Sequence, residues 1–195
     1  NLIKEKNFDL IFFDSWKSLE SFNEKTKSKK ICLIHGNEIL ESKKNEKILS
    51  SIKKADMVIF NSSFTQKLFF KNLKKIHKKK YKIIYPAFIK SIEPVNLKKK
   101  YDLCTVARLE YRKGHHLVLE SLSLLKNQHN LFFKYAILGN GPELSRLKDI
   151  VMKLNLLKQV SFIDENVKSS KIYHESKIHI MPTITTPDSV EGFGI

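Results

Sequence analysis

Eight short apolar runs punctuate the chain, most of them separated by a longer stretch with helical spacing, and this alternation limits the fold more than any other feature. The runs are 8–13 (FDLIFF), 30–35 (KICLIH), 56–61 (DMVIFN), 81–85 (YKIIY), 101–108 (YDLCTVAR), 132–138 (FFKYAIL), 159–163 (QVSFI) and 178–181 (IHIM). Between them, 142–155 places Leu144, Leu147, Ile150, Val151 and Leu154 three or four residues apart, on one face of a helix. Stretches 43–54, through Ile48, Ile52 and Ala55, and 65–76, through Phe69, Leu73 and Ile76, repeat the pattern. Pro142 suits a first helical position. Near-continuous apolar strands separated by amphipathic helices imply parallel sheets covered on both faces. The pause at 86–100, with two prolines and a lysine triplet, reads as a linker. We therefore expect an α/β protein of two Rossmann-like domains: 1–88, a linker over 89–100, and 101–195.

All six glycines stand where such a run gives way to a turn: Gly36, Gly114, Gly139, Gly141, Gly192 and Gly194. In open α/β sheets, ligands lie against the loops at the carboxyl ends of the strands. The glycines thus mark a ligand-facing rim. The chain stops at Ile195, in what reads as mid-element, and we expect it to be a fragment.

Charge is the compositional outlier, with 36 basic against 20 acidic residues in 195. Only Arg108, Arg112 and Arg146 are arginine, whereas nucleic-acid readers lean on arginine for bidentate contacts. Two readings of the lysine excess stand side by side: AT-rich codon usage, or a surface for anionic lipid or another polyanion. Cys32 and Cys104 sit inside apolar runs, as reduced core thiols would, and neither a CxxC nor a Cys/His cluster suggests zinc. No run approaches the roughly 18 apolar residues of a membrane-spanning helix. A cytoplasmic location is expected, with a peripheral contact at the inner face of a membrane as a further hypothesis.

Three constellations carry chemistry. In the first, V-A-R-L-E-Y-R-K-G over 106–114, a strand ends near Arg108 and a helix begins near Lys113. Two cations beside a helix N-terminus make a diphosphate site, since unpaired N–H groups and the dipole add to the side-chain charge. A solvated basic loop is the plainer alternative. In the second, Glu191 precedes Gly192-Phe193-Gly194. That carboxylate either accepts sugar hydroxyls or lies on an acidic surface turn. In the third, His35 and Glu38 follow a strand, and His35 is either a sugar-binding imidazole or a satisfied core histidine. G-N-G-P-E at 139–143 resembles a dinucleotide fingerprint but has Leu144 at the third glycine position, which argues against a dehydrogenase.

Taken in order, Arg108-Leu109 with Lys113-Gly114, Gly139-Asn140-Gly141-Pro142, Met181-Pro182 and Glu191-Gly192-Phe193-Gly194-Ile195 resemble glycosyltransferase family 4, the retaining transferases of GT-B fold. Upstream, His35-Gly36-Asn37-Glu38, Ala55-Asp56-Met57-Val58-Ile59 followed by Ser62 or Ser63, and Tyr85-Pro86-Ala87 resemble that family's N-terminal segments. The resemblance implies transfer of a sugar from a nucleotide-diphosphate sugar to a glycan or lipid-linked acceptor. It makes Arg108 and Lys113 the donor-diphosphate ligands and His35 and Glu191 the catalytic pair at the sugar. Gly192, Phe193 and Gly194 would offer backbone N–H groups, and Gly139 and Gly141 a turn near the donor. No covalent nucleophile, metal or cofactor is implied. The family's second glutamate and its glycine-rich N-terminal loop are not in this sequence, so the fragment alone is expected to be inactive. Relatives with lipid-linked acceptors make the lysines of 74–82 a candidate for contact with an anionic membrane; a solvated turn is the alternative. The non-enzymatic rival is a lysine-rich polyanion-binding module without catalysis.

Overall fold

The computed structural model describes residues 8–23, 25–73, 80–87, 98–187 and 189–193. Most of the expected linker, six lysine-cluster residues (74–79) and Gly194 fall outside them. Two compact units emerge, one of Asn1–Phe88 with Thr185–Ile195 and one of Ile89–Ile184. By contacts, Thr185–Ile195 group with the first unit. The reason is local bonding: the Val190 N–H donates to the Asn37 side-chain oxygen at 2.8 Å, and Ser62 Oγ donates to the Gly192 carbonyl at 2.5 Å.

The first unit is a four-stranded parallel sheet in the order β1 (Leu10–Phe13), β2 (Lys29–Ile34), β3 (Met57–Phe60), β4 (Lys80–Ile83). Helix α1 (Trp16–Glu20) follows β1, α2 (Asn45–Lys53) lies between β2 and β3, and α3 (Ser63–Asn72) between β3 and β4. Serines start two of these helices. Ser15 forms a capping box with Ser18, and Ser62 accepts the Thr65 N–H at 3.0 Å, satisfying N–H groups the first turn leaves unpaired. Trp16, Leu19, Ile48, Ile52 and Phe69 from the helices bury themselves against Cys32, Ile34, Val58 and Phe60.

The second unit is also parallel, in the order β7 (Val160–Ile163), β6 (Tyr135–Leu138), β5 (Tyr101–Val106), β8 (Ser176–His179). Helices α4 (His115–His129), α5 (Leu144–Lys153) and α6 (Ser169–Glu175) connect these strands. Side chains alternate across the sheet. Tyr135 and Ile137 join Val118, Leu119, Leu122, Leu147 and Val151 on one face, while Cys104, Ala136 and Leu138 join Ile172 on the other. Each such leucine contributes about 1.5–3 kcal/mol on burial. A buried chain of hydroxyls locks three strands together: Tyr135 donates to Thr105 at 2.7 Å, and Thr105 to the Ile180 carbonyl at 2.6 Å. Pro142 is not the first helical residue, because α5 starts at Leu144 behind an N-cap at Glu143. Instead it stands in the turn that brings the Glu143 N–H to the Leu109 carbonyl at 3.0 Å.

Both cysteines are buried and free. Burial pushes the Cys32 thiol up to about 12, so it stays a thiol and a poor nucleophile. Among the described residues no helix is long and apolar enough to cross a membrane.

Candidate functional site

The strand order of the second unit puts β5 between β6 and β8, so chain direction reverses its walk across the sheet at the β5–β8 pair. At such a switch point the loops leaving the two strands diverge and open a crevice at their carboxyl ends. The loop leaving β5 carries Arg108 and Lys113; the loop leaving β8 carries Pro182, Thr183 and Ile184. A hydrogen bond from the Ile184 N–H to the Arg112 carbonyl, 2.8 Å, ties the two together. Gly114, at a left-handed φ of 69°, is the N-cap of α4 and lies so close to the Pro182 carbonyl that a Cβ would collide with it. Behind the β5 loop stands the β6–α5 turn with Gly139 and Gly141, and the Leu109 N–H donates to the Asn140 carbonyl at 2.9 Å.

These contacts hold a cationic loop in place. Arg108 is 79% exposed, and its guanidinium sits 3.2 Å from a Glu110 carboxylate oxygen. The other Glu110 oxygen takes Arg112 Nε at 3.1 Å. Glu110 thus grips both arginines, leaving most of the Arg108 guanidinium open to solvent. Lys113 is half-buried in the 3-10 turn Tyr111–Lys113, immediately before α4. Arg108, Lys113, Gly139 and Gly141 are therefore gathered at one end of one sheet. Glu110 and Arg112 escaped the sequence reading, although the alternating charges of Arg-Leu-Glu-Tyr-Arg were the available signal. A cavity of about 400 Å³ lies at the β6–α5 turn and the end of β7, lined among others by Gly139, Asn140, Lys148, Phe162, Asp164 and Glu165.

In the first unit the loop after β2 presents His35. It is exposed rather than a core histidine, and its ring Nε2 lies 2.8 Å from the Asp14 carbonyl. A carbonyl can only accept, so Nε2 donates in this contact. Glu38 holds the loop from below: its two oxygens accept the N–H groups of His35 at 2.8 Å and Gly36 at 2.7 Å. The His35 carbonyl takes Asn61 Nδ2 and Thr65 Oγ1, both at 3.2 Å. The Asp14 carboxyl is held below its ordinary value, first by the Ser18 hydroxyl at 2.6 Å, with Ser15 and the His35 charge adding. His35, Asn37 and Glu38 help line a cavity of about 360 Å³ together with Ser15 and Trp16 of the β1–α1 turn.

Gly192 comes to this same loop. A Cβ there would strike the His35 carbonyl, so only glycine allows the Glu191-Gly192-Phe193 segment to lie against it. Phe193 adds a ring contact with Tyr85, centroids 5.9 Å apart. His35, Glu191, Gly192 and Phe193 are thus brought together in one unit, as Arg108, Lys113, Gly139 and Gly141 are in the other. Asn37, Asn61 and Thr65, which fix this arrangement, carry no spacing signal of their own.

Two parallel α/β units, each with glycine loops at the carboxyl ends of its strands, define a protein of two Rossmann-like domains. Residues 88–195 match the family described as glycosyl transferases group 1, and the chain belongs to that family. WcaL of Escherichia coli (strain K12), named as a colanic acid biosynthesis glycosyltransferase, is 28% identical over 97 residues, 48% of this chain and 24% of WcaL. The crystal structure of TarM aligns at a TM-score of 0.72 with 17% identity, over 89% of this chain and 36% of TarM. Alr3699/HepE of Anabaena, crystallised with UDP and glucose, aligns at 0.71 with 18% identity, over 90% of this chain and 53% of that one. At such identities the likeness shows the fold, that of the GT-B glycosyltransferases. The chain spans between about a quarter and a half of the length of these relatives.

Proposed function

We propose that the chain is part of a retaining glycosyltransferase that moves a sugar from a nucleotide-diphosphate sugar to a glycan or lipid-linked acceptor. The observation that carries this reading is the β5 loop. Arg108 and Lys113 flank the N-terminus of a fifteen-residue helix at the switch point of a parallel sheet. A diphosphate there meets two cations and a helix dipole at once. HepE, which shares the fold, binds UDP and glucose, which makes UDP-glucose the first donor to try.

In the reaction, the acceptor hydroxyl attacks the anomeric carbon as the bond to the distal phosphate oxygen breaks, on one face of the sugar. The nucleoside diphosphate leaves with the bonding electrons, and the hydroxyl proton passes to it. Arg108 and Lys113 stabilise the charge that grows on the leaving phosphate, as preorganised cations that need no reorientation during the step. His35 offers Nδ1 to a sugar hydroxyl, its ring fixed by the Asp14 carbonyl. Glu191 accepts further sugar hydroxyls, and the Gly192-Phe193-Gly194 backbone supplies N–H donors. The cavity beside Gly139 and Asn140 suits the nucleotide base, with the Phe162 ring as an apolar surface and Asp164 as an acceptor. No metal has a role here, because the two side-chain cations take its place; turnover should survive excess EDTA.

The test is a donor panel with the complete gene product, comparing the native sequence with Arg108→Ala and Lys113→Ala. Equal turnover in all three would overturn the assignment of these residues.

A further inference from the structure

We propose that the amino-terminal edge of the second sheet holds a separate site for a phosphate-rich anion, independent of the transferase reading. Because the strands are parallel, the residues that precede them converge on one edge. Lys98, Lys99 and Lys100 precede β5, Lys134 precedes β6 and Lys158 lies two residues before β7. With Tyr101, Gln159 and Ser161 they line one cavity of about 590 Å³. Arg108 follows the opposite end of β5, a strand length of about 20 Å away.

Five lysines line this one concavity, and their charges repel each other unless something negative is present. The protein itself supplies little. Lys100 pairs with Glu175 at 2.6 Å. Lys99 donates to the carbonyls of His174 and Ser176, both at 2.8 Å, which offer dipoles and no net charge. Asp102 stands close by, but Lys177 holds it at 2.7 Å and the Lys134 N–H donates to it at 2.8 Å. Among the described residues no carboxylate forms an ion pair with Lys98, Lys134 or Lys158. Three chain-distant segments thus bring to one place more positive charge than Glu175 and Asp102 offset, which a merely lysine-rich surface would not require. A concave site of one sign focuses its field on a bound counter-ion.

Lysine is a compact charge without arginine's planar fork, suited to several phosphate oxygens at no fixed angle. The volume accommodates two or three linked phosphates. Such a group reaches the cavity either as a free oligophosphate or as the headgroup of an anionic lipid.

Tripolyphosphate titrated into this chain by calorimetry, alongside UDP, tests the site. Lys134→Gln/Lys158→Gln changes two exposed side chains and should weaken tripolyphosphate by about tenfold while UDP affinity stays within about twofold. Lys98→Gln, at a position outside any strand, should shift affinity in the same direction and guards against a folding artefact. Arg108→Ala should do the reverse, weakening UDP and leaving this cavity intact. Co-sedimentation with phosphatidylcholine vesicles, with and without phosphatidylglycerol, separates the two sources. Binding that needs phosphatidylglycerol and is lost in Lys134→Gln/Lys158→Gln assigns the headgroup; tripolyphosphate binding alone assigns a soluble anion. Unchanged tripolyphosphate affinity in the lysine variants overturns the proposal, whatever the UDP result.

Discussion

Gly114 faces the carbonyl of Pro182 with no room for a side chain between them. The pair joins the loops leaving β5 and β8, so it helps fix the loop that carries Arg108 and Lys113. Alanine at 114 must hold φ near 69° as well as push the Pro182 backbone aside. The left-handed backbone alone costs about 1–2 kcal/mol. Gly114→Ala should therefore lose at least about 2 kcal/mol, read as a lower denaturation midpoint, and should weaken UDP binding. A variant as stable as the native chain would show that the two loops are not held as described.

Glu110 offers a test that separates stability from function. Its pair with Arg108 is largely in solvent, where such pairs contribute under about 1 kcal/mol. Glu110→Gln keeps one side-chain oxygen to accept from the half-buried Arg112 Nε at 3.1 Å, and should lower the denaturation midpoint only slightly. It frees Arg108 to wander, so UDP affinity should fall by several-fold. Arg108→Ala and Lys113→Ala should each lower turnover by about 10²–10³ with little effect on stability. A stability loss from Glu110→Gln without any effect on UDP would make Glu110 a folding residue only.

The central strands were the most legible, because a parallel strand buried on both faces must be apolar at nearly every position, as Tyr135–Leu138 is. Edge strands such as Lys80–Ile83 and Ser176–His179 are at least half exposed and carry lysines. The position of Arg108 and Lys113 at the carboxyl end of β5 was legible because charges follow directly on an apolar run there. The partners were less so. Glu110 is two residues from each arginine it holds, but nothing in that spacing says which way its carboxylate turns. Asn61 and Thr65 reach the His35 carbonyl from β3 and α3, a closeness created by packing rather than sequence distance. The contacts of 185–195 with the first unit were not legible either, because Ser62 and Asn37 supply their hydrogen-bond partners from far upstream.

Glu38 and His35 should respond differently to substitution. Glu38→Ala removes the acceptor for two backbone N–H groups, and hydrogen bonds to a charged partner contribute about 1.5–3 kcal/mol each. A loss of about 2 kcal/mol or more in stability is expected, with turnover falling as the loop loosens. His35→Ala deletes an exposed ring and should cost little stability while lowering turnover in the complete gene product. If His35→Ala destabilised the chain as much as Glu38→Ala, the imidazole would be a structural strut and its catalytic role would lapse.

His115 gives the chain an acid sensitivity of defined sign. It opens α4, is 1% exposed, and neither ring nitrogen has a hydrogen-bond partner among the described residues. Burial, helped by His116 and Lys113 and opposed by Glu143, brings it down from 6.5 to about 4. The unfolded chain takes up this proton near 6.5, whereas the folded chain refuses it until about 4. The unfolded state therefore binds more protons throughout that window, and stability must fall as the solution is acidified across it. The full loss is about 3 kcal/mol, reached near the lower end, and above 6.5 this group adds no pH dependence. His179, lowered by burial as well, works in the same direction. Asp14 and Asp102, both lowered from 3.8, add their losses only in more acid solution. His115→Leu should remove most of the slope between 6.5 and 4 and raise stability at the acid end relative to the native chain. Denaturation midpoints measured across that range decide it: parallel curves for the two proteins would mean that His115 is protonated in the folded state and that the base of α4 is wetter than the structure shows.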